Sequence, residues 1–156
     1  MHPASQRVLD AARRLGIDID IRQFDKSTRT AQEAADAIGV GLGQIVKSLV
    51  FLADGRPILV LASGPNRADT AKLARHSKAR EVRRASAEDV RAATGFAIGG
   101  VPPIGHRGAL PIYFDRDLLQ YETVWAAAGT PNTVFAIEPQ RLVQASKAIV
   151  ADLKED

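Results

Sequence analysis

Gln44-Ile45-Val46-Lys47-Ser48-Leu49-Val50-Phe51-Leu52 is the stretch that decides the architecture. Side chains alternate across a strand, so Ile45, Lys47, Leu49 and Phe51 share one face and Val46, Ser48, Val50 and Leu52 the other. Both faces are apolar, the pattern of a central strand covered on both sides. Asp54-Gly55 then supplies a hairpin turn, and Ile58 to Leu61 returns as a second apolar strand. Lys47 is the anomaly, because an ammonium on such a strand is costly unless it is paired or sits at a pocket mouth. Two readings are open. Lys47 lies near the strand end and snorkels to water, or it is presented from the floor of a cleft. There it would anchor an anion or carbonyl as a donor, or act as a base with a lowered pKa.

Working outward, Ser5 to Leu15 carries Val8, Leu9, Ala12 and Leu15 at helical spacing and stops at Gly16. Ile17, Ile19 and Ile21 alternate with polar residues, which predicts a half-buried strand. Thr30-Ala31-Gln32-Glu33 fits a capping box for a helix running through Ala34, Ala35 and Ile38 to Gly39. Ala68 to His76 reads as a helix, and Ser86 caps another through Val90 and Ala93 that closes at Gly95. Pro111 to Phe114 and Thr133 to Ile137 read as strands. Apolar Val124 to Ala128 leads into the turn Gly129-Thr130-Pro131-Asn132. Pro139 to Leu153 reads as a C-terminal helix with Leu142, Val143, Ile149 and Val150 on its apolar side. Helices and strands mix without a strict βα repeat. The expectation is one α/β or α+β domain over residues 1–156 with a mixed sheet.

Composition narrows the chemistry. The chain has 156 residues, 46% of them hydrophobic and 25% charged, which is ordinary for a globular protein with a real core. With no cysteine, disulfides, thiolate zinc sites and cysteine nucleophiles are excluded. The start lacks the basic-then-apolar layout of a secretory signal. No apolar run approaches the ~20 residues that span a bilayer, so a cytoplasmic location is expected. His2, His76 and His106 have no metal-ligand spacing, and no serine–histidine–acid pattern can be assembled. Net charge is +3. Between Lys72 and Arg84, however, six basic residues face only Glu81, either a solvated surface or a phosphate-contacting patch. No aromatic interleaves them, so a base-stacking platform is not indicated.

The second anomaly is Gly99-Gly100-Val101-Pro102-Pro103-Ile104-Gly105-His106. Proline fixes φ and removes a donor, and glycine lets backbone approach a ligand, so this is a stiff, shaped loop. It is either a turn-rich connector or the wall of a binding pocket.

Taken in order, Thr30 to Ala35, Gln44 to Phe51, Gly99 to His106, Asp115 and Gly129 resemble the YbaK/prolyl-tRNA synthetase-associated domain family over nearly the whole chain. The resemblance implies a mixed α/β domain around a curved, partly barrel-like sheet that needs no metal or organic cofactor. It implies hydrolysis, in trans, of amino acids wrongly attached to tRNA. The family's strand lysine matches Lys47, its Gly-x-x-x-Pro loop matches Gly99 to Pro103, its acidic residue matches Asp115 and its later loop glycine matches Gly129. Some branches, notably those that remove alanine, carry a histidine near that glycine. Ala126-Ala127-Ala128-Gly129-Thr130 has none, which leaves the amino acid specificity open.

On this reading Lys47, Gly99 and Gly100 carry the chemistry, the glycine amides approaching the ester carbonyl. Thr30, Val101, Pro103, Ile104, Gly105, His106, Asp115 and Gly129 are candidate substrate contacts. Thr30 is equally explained as a helix cap, His106 as a loop histidine and Asp115 as a structural carboxylate. Arg67, Lys72 and Arg75 are candidate tRNA-phosphate contacts. The partner is the acceptor end of mischarged tRNA, with an aminoacyl-tRNA synthetase as a further candidate. The rival reading is a non-catalytic module that binds tRNA ends or a synthetase through the same pocket. A third, weaker one is hydrolysis of some other small-molecule ester.

Overall fold

The computed structural model describes residues 1–156. Five helices, α1 (Pro3–Arg14), α2 (Ala31–Ile38), α3 (Thr70–Ser77), α4 (Ala87–Thr94) and α5 (Pro139–Ser146), surround one eight-stranded sheet. Its strands are β1 (Arg22–Gln23), β2 (Ile45–Ala53), β3 (Arg56–Ser63), β4 (Val82–Arg84), β5 (Ile112–Asp115), β6 (Val124–Ala127), β7 (Thr133–Ile137) and β8 (Ile149–Ala151). The order is β1-β7-β6-β2-β3-β5-β8, with β4 also paired to β2. The sheet is mixed: β2 runs antiparallel to β3 and β4 but parallel to β6, and β3 runs parallel to β5.

The hairpin read from Asp54-Gly55 forms with φ of 49° and 82° at those two residues, as a tight turn matched to strand twist requires. Its register runs from Val46↔Ser63 to Ala53↔Arg56. One strand does not cover the other edge of β2. There β6 pairs only at Ile45 and Val46, and β4 only from Phe51 to Ala53. Residues 47–50 lie in the interval between the two ladders.

The faces of β2 divide the core. Val46 and Val50 join Leu59, Leu61, Phe114, Phe135 and the α1 residues Val8 and Ala12. On the other face, Ile45 packs with Ala34 and Ala35 of α2, while Phe51 and Ala53 pack with Leu73 of α3 and with Val82. Lys47 falls between these two clusters, and Leu49 packs at the margin of the second.

Two elements differ from the sequence reading. Ile17, Ile19 and Ile21 alternate in burial and pack against the core, but the chain there is extended without a ladder. Pairing begins at Arg22, opposite Val134. Alternation reports one-sided burial, which an unpaired segment also satisfies. The C-terminal helix ends at Ser146, because Lys147 takes the left-handed conformation (φ 56°) and caps it. Ile149 and Val150, expected on its apolar side, instead belong to edge strand β8 on β5 and are 53% and 39% exposed.

Candidate functional site

The uncovered stretch of β2 forms the floor of a cavity of about 710 Å³, walled by α2, the start of α3, β6 and the loop at 98–101. Lys47 lies near the start of β2, as its third residue, but it is half-buried and its ammonium is held by the chain. Its Nζ donates to the main-chain oxygen of Asn66 at 2.6 Å. Asn66 is itself clamped. Its side-chain amide donates to Asp115 Oδ2 at 2.8 Å and to Asp117 Oδ2 at 2.9 Å, and Lys154 Nζ donates to the same Asp117 oxygen at 2.8 Å. An ammonium has three donors, so two N–H groups of Lys47 remain. Burial, first, and then the neighbouring Arg84 push its pKa below the usual 10.5; Asp115 works against this and Arg67 adds to it.

The loop reading also resolves at atomic scale. Gly99 has φ of +93°, and a Cβ there would lie 2.5 Å from Cγ of Arg29. A Cβ on Gly100 would lie 2.9 Å from the Thr130 backbone. Gly100 N–H donates to Ala97 O, and Gly100 O accepts from Gly129 N–H, both at 3.0 Å. The Gly100 amide is therefore committed to the loop itself, which corrects its expected place among the free donors. The N–H groups of Gly99 and Val101, residues that do line the cavity, have no acceptor within the chain.

The other residues singled out from sequence divide. Thr30 lines the cavity and also caps α2: its Oγ1 accepts from Glu33 N–H at 3.1 Å while Glu33 Oε1 accepts from Thr30 N–H at 3.3 Å. Arg67 lines the cavity, 3.8 Å from Glu155. Pro103, Ile104, Gly105 and His106 are not part of its lining. Ile104 is buried in the core, and a Cβ on Gly105 would lie 3.2 Å from Ala11 of α1. The Nε2 of His106 lies 2.7 Å from Pro102 O, and burial lowers its pKa. A carbonyl accepts, so Nε2 carries the proton. Asp115 is 2% exposed and accepts from Ser63 N–H, Asp117 N–H and Asn66, a structural carboxylate behind Lys47. Gly129 packs against Ala4 and borders a second hollow of about 570 Å³ on the α1 side of the loop. Lys72 is engaged by Asp152 Oδ2 (3.0 Å), Asp156 Oδ1 (2.9 Å) and Lys154 O (2.7 Å), contacts that raise its pKa. Arg75 is exposed on α3, outside the lining.

Sequence reasoning missed Arg29, Asn66 and Trp125, and it reached Arg84 only as one member of a basic run. Arg84 lines the cavity with its guanidinium 5.9 Å from the centroid of the Phe51 ring. Arg29, Lys47, Arg67 and Arg84 thus surround one hollow. The two acidic lining residues are both engaged: Asp69 caps α3, and Glu155 faces Arg67. Such a cavity attracts an anionic ligand and supplies hydrogen-bond donors to it.

The chain matches the family model described as an aminoacyl-tRNA editing domain over residues 25–145. It is 35% identical over 128 residues to the uncharacterized protein YwhH of Bacillus subtilis, covering 81% of each chain. It is 26% identical over 125 residues to the "putative Cys-tRNA(Pro)/Cys-tRNA(Cys) deacylase EbsC" of Enterococcus faecalis, covering 80% of this chain and 76% of that one. Among solved structures it superposes on "a putative trans-editing enzyme for prolyl tRNA synthetase" with a TM-score of 0.94 and 48% identity, over 100% of this chain and 99% of the other.

Proposed function

The chain belongs to the aminoacyl-tRNA editing domain family, and we propose on that premise that it is an aminoacyl-tRNA deacylase acting in trans. It would hydrolyse the ester that joins a wrong amino acid to the terminal ribose of tRNA, in the cytoplasm where tRNA is charged. One observation carries this reading: Lys47, Gly99 and Val101 line the same cavity, and the N–H groups of the two loop residues have no acceptor within the chain.

An aminoacyl ester is already activated, so the site need only hold it, stabilise the developing oxyanion and admit water. Water adds to the acyl carbonyl, and negative charge gathers on its oxygen. The N–H groups of Gly99 and Val101 are the donors available to that charge. The carbon–oxygen bond to ribose then breaks, the ribose oxygen leaves with a proton, and the free amino acid departs. The two remaining donors of Lys47 fix the substrate carbonyl or the terminal phosphate. Arg67, with Arg29 and Arg84, suits the phosphates of the acceptor end. A pocket that checks small side chains works by size and by polar groups that reward or punish them. The segment Ala126–Thr130 carries no histidine for that purpose.

The test is purified protein against a panel of tRNAs charged with the wrong amino acid, alongside Lys47→Ala. Release of one or more amino acids, falling about a hundredfold or more in the variant, is expected if a donor to the transition state is lost. Salt-sensitive binding of tRNA with no hydrolysis of any member would instead establish the rival reading of a non-catalytic module.

A further inference from the structure

Ser48 is the one residue with a buried side-chain polar atom, Oγ, that has no hydrogen-bond partner, and it lines the cavity. Its main chain is also exceptional. Val50 O accepts from Ala85 N–H at 3.2 Å, on the β4 side of β2. N–H and C=O point to the same side at every second residue of a strand, so those of Ser48 also point away from β3. That is the interval between the β6 and β4 ladders. The parallel ladder with β6 ends at Val46↔Ala126, and the next donor along it that could meet Ser48 O is Gly129 N–H. That group is diverted to Gly100 O. On the other side the chain turns after Ala85 into α4. The loop that walls the cavity therefore takes away the donor that would have closed the sheet. Buried polar groups are almost always satisfied, and a strand residue whose main-chain oxygen is left without a donor beside a cavity is a binding point for one.

We propose that Ser48 receives the α-amino group of the substrate on its main-chain oxygen. The inference rests on the deacylase reading. On the acyl side of an aminoacyl ester, the carbonyl and ester oxygens only accept, and the α-amino group is the donor that every amino acid supplies. Docked there, the aminoacyl unit adds to the free edge of β2 as a single strand residue would. Recognition would be of the shared backbone and not of the side chain, which leaves the rest of the cavity to select the side chain.

The experiment uses the full chain, labelled with ¹⁵N, and two non-hydrolysable adenosine derivatives with an amide at the 3′ position. One carries an alanyl group; the other carries a propionyl group, which lacks only the amine. The alanyl compound is expected to shift the amide signals of Ser48 and Leu49, whose N–H adjoins the Ser48 carbonyl, as well as those of Gly99 and Val101. The propionyl compound should bind about tenfold more weakly, the loss expected of one hydrogen bond to a charged group, and leave Ser48 and Leu49 unmoved. Ser48→Ala, which keeps the main-chain oxygen, should retain the preference for the alanyl compound. Equal affinity of the two compounds, or equal shifts at Leu49, would overturn the assignment while leaving the deacylase reading intact. If neither compound shifts any amide of the cavity, the deacylase reading itself fails, and the assignment with it.

Discussion

Lys47 holds a positive charge in a half-buried place between Arg84 and Arg67 because Asn66 O fixes it there. The arrangement costs stability. With its pKa lowered in the folded state, the unfolded chain binds this proton more tightly. The contribution of the group to stability therefore rises as pH increases through the window between the lowered value and the ordinary 10.5, and the charged form is least favourable below it. Lys47→Met should raise the melting temperature at neutral pH while abolishing deacylation, as measured by thermal unfolding beside turnover; a lowered melting temperature would contradict this. His106 works in the opposite range. Its folded pKa lies below 6.5 because burial disfavours the charged ring, an effect the hydrogen bond to Pro102 only partly opposes. Its contribution is complete above 6.5, declines as pH falls past that value and levels off below the lowered pKa. His106→Gln should flatten the acid side of the stability–pH curve, read by denaturant titration between about pH 4 and 7.

At the scale of elements, α2 and the 98–101 loop both wall the cavity, meeting where Gly99 lies against Arg29. The capping box of α2 satisfies two end amides with Thr30 and Glu33. Thr30→Ala should cost about 1 kcal/mol in chemical denaturation. If Thr30 serves only as a cap, Thr30→Ser keeps both stability and turnover. Gly100→Ala places a methyl group 2.9 Å from the Thr130 backbone. A cost of about 1–3 kcal/mol is expected, together with a turnover loss larger than the stability loss explains, because Gly99 and Val101 move with it. These elements also mark what could be read from sequence. The β2–β3 hairpin and the capped helices were legible, because local chemistry (Asp54-Gly55, Thr30 with Glu33, Ser86) fixes them. Lys47 and the glycine–proline loop were legible as anomalies. Asn66, Arg29 and Ser48 were not, since their importance comes from contacts across the fold: Asn66 is clamped by Asp115 and Asp117, 49 and 51 residues away. Strand β8 was hidden because Ile149 and Val150 continue the helical spacing of α5, and only the conformation of Lys147 breaks it.

Across the whole molecule, the last residues act as a strap over the loop that carries Asn66. Leu153 is buried at 1% exposure, its carbonyl accepts from Asp69 N–H at 2.7 Å, and Glu155 N–H donates to Arg67 O at 2.8 Å. Lys154 reaches Asp117, and Lys72 is held by Asp152 and Asp156. Leu153→Ala should cost about 2–5 kcal/mol by denaturant unfolding. It should also depress turnover more than a core change of similar cost in β7, such as Ile137→Ala, which lies outside the cavity and serves as the control for stability alone. No helix is long and apolar enough to cross a membrane.

The strap brings Glu155 to the rim of the cavity, whereas Met1 and His2 border the second hollow behind the glycine loop. The two ends of the polypeptide thus obstruct different things. An affinity handle joined after Asp156 would emerge beside the cavity that the deacylase proposal gives to the tRNA end, and one joined before Met1 would leave that doorway clear.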